Sequence, residues 1–80
     1  MTTGMAVAKR LDEFLFARGI TLYRLAKDTG IPIATLQNLY RRHTKNPSLN
    51  LVYKICQGLN VSISEFLDSE WFSLNELELD

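Results

Sequence analysis

Gln37, Asn38 and Arg41 are the side chains of this chain best equipped to recognise another molecule by hydrogen bonding. An Asn or Gln amide sets a donor beside an acceptor, the pattern that can grip adenine N6 and N7 together. At about 100° per residue, Ile33, Ala34, Gln37, Asn38 and Arg41 fall on one arc roughly 140° wide. Leu36 and Leu39 fall on the other side. A helix with that leucine stripe buried presents an outward face of amides, small apolar groups and one arginine. A major groove of DNA can accept such a face, because Ile33 and Ala34 suit thymine methyl groups while the amides read base edges.

A polar, cationic cluster follows at once: Arg41, Arg42, His43, Thr44, Lys45 and Asn46. Its position suits phosphate contacts, which fix register and give salt-dependent affinity without reading sequence. Thr35 adds a hydroxyl donor from the same helix. Thr21 stands at the start of the preceding helix, where unpaired backbone amides favour anions. Gln37 and Asn38 could also be plain solvated helix residues, and Ile33 could serve a protein contact or the core edge.

Other chemistries find little support. His43 is the sole histidine and has no cysteine near it, so a metal site is not expected, nor is any cofactor. Asp12, Glu13, Glu65 and Asp68 are not paired with a histidine, a nucleophile or a glycine-rich loop, so no enzyme is expected. Cys56 lies at core spacing and reads as a small buried hydrophobe. Tyr23 and Tyr40 either donate to phosphate or finish the core.

The elements that must hold these residues are five short helices. The first is expected over Ala6–Arg18, with Val7, Leu11, Phe14 and Leu15 at helical spacing and Gly19 as its stop. Thr21 is a plausible N-cap for Leu22–Thr29, which Gly30 ends. Ile31-Pro32 opens the third helix, with proline tolerated in the first turn, and it runs to Tyr40 or Arg41. Ser48 caps a fourth, which Asn60 ends. Ser62-x-x-Glu65 is the signature of a capping box starting the fifth. Trp71, Phe72, Leu74, Leu77 and Leu79 follow among acids, and they suit a short strand or helix packing back, or a dimer contact.

The short glycine turn between the second and third helices is that of a helix-turn-helix, with Ala26 small at the close approach and Leu25, Ile31, Leu36 and Leu39 as its apolar contacts. The wider pattern adds Gly19-Ile-Thr-Leu-Tyr-Arg-Leu-Ala, Gly30-Ile-Pro, Thr35-Leu36, Asn46-Pro47-Ser48-Leu49 and Leu59-Asn-Val-Ser-Ile-Ser-Glu-Phe-Leu67. Together these resemble the Cro/repressor-type, or xenobiotic-response-element (XRE), family of transcriptional regulators over about residues 6–68. The resemblance implies an all-α, compact five-helix lambda-repressor-like domain. Residues 1–68 would form it, and 69–80 an acidic, aromatic tail. The same resemblance places base contacts on the outward positions of the third helix, from its start: Pro32, Ile33, Ala34, Gln37 and Asn38. Phosphate contacts then fall to Thr21, Thr35, Arg41, Arg42, His43, Lys45 and Asn46. Many relatives hold a phosphate with glutamine at the start of the second helix. Leu22 stands there here, leaving Thr21 and backbone amides.

Nine basic and nine acidic residues give zero net charge, but they are unevenly spread. The first sixty residues carry a net +6 and the last twenty a net −6. That asymmetry suggests a basic surface for a polyanion and an acidic tail held elsewhere. No apolar run approaches the ~20 residues needed to span a bilayer, and Met1–Val7 lacks the pattern of a secretory signal. The expected protein is a cytoplasmic, nucleoid-associated homodimer on double-stranded DNA, with no membrane association. The alternative is a protein-interaction module, antitoxin-like or an adaptor, gripping a protein partner through the acidic tail.

Overall fold

A computed structural model describes residues 1–79. Asp80, counted above with the acidic tail, lies outside the described residues. The described residues form five α-helices: α1 (Thr3–Arg18), α2 (Leu22–Thr29), α3 (Ile33–Tyr40), α4 (Leu49–Leu59) and α5 (Ile63–Leu67), then a 3-10 turn at Glu70–Phe72. No strand occurs among the described residues.

Capping explains most of the boundaries. The side chains of Thr21, Ser48 and Ser62 accept the amides of Arg24, Leu51 and Glu65, satisfying donors that the first helical turn leaves unpaired. Gly30 closes α2 at φ 76°, where a side chain would be strained. Asn60 does the same for α4 at φ 57°.

Three expectations need correction. The first helix begins at Thr3, three residues before Ala6, because the Thr2 hydroxyl caps it by accepting the Met5 amide at 3.2 Å. The capping box of α5 is half formed: Glu65 donates its amide to Ser62 Oγ at 3.0 Å, while Ser62 Oγ also faces Ser64 Oγ at 3.4 Å. The reciprocal bond, in which the Ser62 amide would donate to the Glu65 carboxylate, is absent. A third boundary shifts slightly, since Pro32 is the N-cap of α3 and Arg41 its C-cap.

The core is one cluster drawn from all five helices. Leu11, Leu25, Leu36, Leu39, Ile55 and Phe66 are fully buried, each side chain contributing roughly 1.5–3 kcal/mol of burial. Cys56 is buried too, and desolvation pushes its thiol pKa up. Phe14 stacks on Phe66 at 5.8 Å, and Phe72 of the 3-10 turn leans on Phe66 at 6.3 Å. The tail therefore packs back onto α1 as a short helical turn. Its Trp71 indole donates to Glu13 Oε1 at 3.1 Å and lies under the Lys9 ammonium.

Two contacts set the frame for α2 and α3. A Cβ on Gly58 would sit 2.3 Å from Thr29 Cγ2, so α4 approaches α2 closely only because that side chain is missing. The Thr29 hydroxyl donates to Leu25 O at 2.7 Å and accepts the Ile31 amide at 3.2 Å, which pins the turn into α3.

Candidate nucleic-acid interface

Packing of Leu36 and Leu39, both fully buried, fixes the rotation of α3 about its axis. Ala34, Asn38 and Arg41 are thereby exposed, with Pro32 beside them at the N-cap. Ile33, Thr35 and Gln37 are half-buried. The amide-bearing side of α3 thus faces outward, as its periodicity requires. Gln37 Nε2 lies 3.4 Å from the hydroxyl of Tyr23, a long contact reaching across from α2. Tyr23 itself is 67% exposed, which places it outside the core. Tyr40 takes a different place. It packs against the core and its hydroxyl donates to Asp12 Oδ1 at 2.7 Å, a bond that raises its pKa above the ordinary tyrosine value, helped by the Asp12 charge.

The loop after α3 begins with a backbone outlier. Arg42 sits in the left-handed region at φ 64°, and the amides of Arg42 and His43 donate to Leu39 O and Asn38 O at 3.0 and 2.8 Å. This is a Schellman closure, normally made with glycine. It turns the chain sharply and leaves Arg41, Arg42, His43, Lys45 and Asn46 exposed, with Thr44 half-buried. The Arg42 guanidinium donates to Tyr40 O at 2.6 Å. Among the described residues, none of Arg41, Arg42 and Lys45 is paired with a carboxylate. From Thr29 to Ser64 the sequence contains no Asp or Glu, so nothing along this stretch itself offsets its positive charge. Thr21 stands apart from the loop, at the N-terminus of α2. It uses an oxygen lone pair on the Arg24 amide at 3.1 Å and keeps its own proton to donate.

The charge asymmetry read from sequence is only partly a surface for a polyanion. Arg10 donates to Phe66 O, Glu65 O and Asp68 O, capping the C-terminus of α5. Arg18 likewise donates to Leu59 O at the end of α4. Arg24 pairs with Asp28 at 3.0 Å, and Lys9 is spread over Trp71. Carbonyls at helix ends attract Arg10 and Arg18, while a carboxylate engages Arg24 and an aromatic face engages Lys9. The cations left over are Lys27 of α2 and those of the α3–α4 region, Arg41, Arg42, Lys45 and Lys54.

Three residues beside this surface are not singled out by the sequence pattern: Gly4, Asn50 and Lys54. Gly4 of α1 donates its amide to Lys45 O at 2.8 Å and so holds the cationic loop in place. Lys54 and Asn50 share one face of α4, and with Ser48 they border the N-terminal turn of α3. Their spacing, one helical turn apart within the acid-free stretch, was the available signal.

An outward α3 held against α2 by a tight glycine turn, on a five-helix core, defines a helix-turn-helix DNA-binding domain. The chain matches the model of the Cro/C1-type HTH DNA-binding domain over residues 10–70, and it belongs to that family. It is also similar to the crystal structure of the prophage Lp1 protein 11, with a TM-score of 0.79 and 26% identity. That match covers 91% of this chain and 97% of the other. None of the curated proteins matches the sequence. Among the described residues, no helix is long and apolar enough to cross a membrane.

Proposed function

We propose that this protein is a sequence-specific transcriptional regulator that lays α3 in the major groove of operator DNA. The observation that carries the proposal is the outward side of α3, where Asn38 and Ala34 are exposed beside a loop of unpaired cations. In this reading Pro32, Ile33, Ala34, Gln37 and Asn38 meet base edges. Phosphates are held by Thr21 and Thr35 and by the loop residues Arg41, Arg42, His43, Lys45 and Asn46. Apolar Ile33 and Ala34 limit direct readout per half-site, so the working form is a homodimer. Its two α3 helices would lie about 34 Å apart on an inverted repeat. Acting on chromosomal DNA places it in the cytoplasm, at the nucleoid.

Selection of bound sites from random duplex DNA tests the reading directly. The expected product is a palindrome whose half-sites are one helical turn apart. A single unpaired half-site would remove the homodimer, and no enrichment with no duplex retention at low salt would remove the function.

A further inference from the structure

The two amides on the outward side of α3 are held differently. Asn38 is exposed, and its side chain makes no hydrogen bond among the described residues. Gln37 is half-buried, and its Nε2 donates across to the hydroxyl of Tyr23 at 3.4 Å. Tyr23 stands in the first turn of α2 and is 67% exposed, so little of its ring serves the core. Among the described residues, Gln37 is the one hydrogen-bond partner of that phenol. The two side chains stay in register because the glycine turn at Gly30 and the Thr29 hydroxyl fix α2 against α3.

A glutamine amide has more capacity than one base requires. Its nitrogen carries two hydrogens, and gripping adenine N6 and N7 uses only the oxygen and the hydrogen beside it. The other hydrogen is free to be spent on Tyr23 without loss of the reading edge. A glutamine held in this way also gives up less rotamer freedom when it meets a base, since part of the ordering precedes binding. We infer that Tyr23 is a specificity-determining positioning residue, whose hydroxyl orients the Gln37 amide so that its oxygen and inner N–H face one base edge. The inference rests on the proposed placing of α3 in the major groove. At 3.4 Å the bond is long, so it guides the amide more than it locks it. Asn38 has no such guide and orders only on contact.

The test is a double-mutant cycle on the full chain with Tyr23→Phe, Gln37→Ala and the pair together. Each protein is titrated with the selected duplex and with its single-base variants. Gln37→Ala should abolish discrimination at one base-pair position. Tyr23→Phe should reduce discrimination at that same position by about two- to tenfold, the range one neutral hydrogen bond supplies. It should add nothing once Gln37 is alanine. The phenol is neutral, so the dependence of affinity on salt should not change. The ring is kept and exposed, so the melting temperature should not move. Equal effects of Tyr23→Phe in both backgrounds would overturn the inference, as would no effect at all. A uniform loss on every duplex would overturn it too, and would mark Tyr23 as a phosphate donor. If Gln37→Ala keeps full discrimination while the duplex is still bound, the pair reads no base, though the DNA-binding function stands. If the unaltered chain binds no duplex, inference and function fall together.

Discussion

The amide of Gly4 donates to the carbonyl oxygen of Lys45 at 2.8 Å, which stitches the first turn of α1 to the cationic loop after α3. The two segments approach so closely that a Cβ on Gly4 would stand 1.7 Å from the Thr44 carbonyl oxygen. The obstacle is backbone, which yields only if the loop or the helix end moves. Gly4→Ala should therefore cost about 1–3 kcal/mol as an overpacked site, despite alanine's better helix propensity. In a domain of this size each kcal/mol lowers the melting temperature by about 4–8 °C. Thermal unfolding gives the cost, and amide chemical shifts of residues 42–46 report the displacement. An unchanged melt with an unmoved loop would show that the turn relaxes freely.

Asn38 is the exposed amide on α3, with no intramolecular partner to compete for it. Asn38→Ala should relax discrimination at one base-pair position by about 1–3 kcal/mol, exceeding its effect on non-specific duplex. Affinities for the selected operator and its single-base variants, measured at one salt concentration, decide the matter. A uniform loss across all sequences would mark Asn38 as a positioning residue.

The helix-turn-helix was legible because its signals are local. Thr21 and Gly30 punctuate α2, and the Leu36–Leu39 stripe fixes which side of α3 is turned out. What escaped were relations between residues distant in sequence. Nothing near Gly4 announces that its missing side chain makes room for Thr44, forty residues on. Arg10 and Arg18 read as surface charge until the ends of α5 and α4 are found beside them. The half-formed box at Ser62 shows a different limit, since a motif names bonds that can form, and here only the bond from the Glu65 amide to Ser62 Oγ does so.

Tyr40 ties the end of α3 to α1 through its bond to Asp12, and that bond needs a neutral phenol. The hydrogen bond to Asp12, and next its charge, raise the pKa in the folded state, against a smaller opposing pull from Arg42. A group whose folded pKa is raised contributes fully below its unfolded value and loses that contribution as pH rises through the folded one. Its share of stability should thus be intact at neutral pH and disappear above about pH 10. Tyr40→Phe should lower stability modestly at pH 7 and flatten the alkaline fall. Urea unfolding from pH 7 to 11 checks this, and parallel alkaline slopes for the two proteins would remove the linkage.

Arg42 occupies a backbone conformation that a side chain resists by roughly 1–2 kcal/mol, at a Schellman position where glycine is the usual choice. An arginine here exchanges stability for a cation directly beside the end of α3. Arg42→Gly should raise the melting temperature, by about 4–8 °C for each kcal/mol regained, although loss of the bond to Tyr40 O offsets part of the gain. The same substitution should weaken duplex binding and lower the salt slope by roughly 0.9. Arg42→Ala separates the two effects, because it discards the cation and keeps the left-handed strain. It should bind weakly without gaining stability. A glycine variant that melts no higher would mean the turn carries no strain, and one that binds as tightly as the unaltered chain would mean the guanidinium contributes nothing to holding DNA.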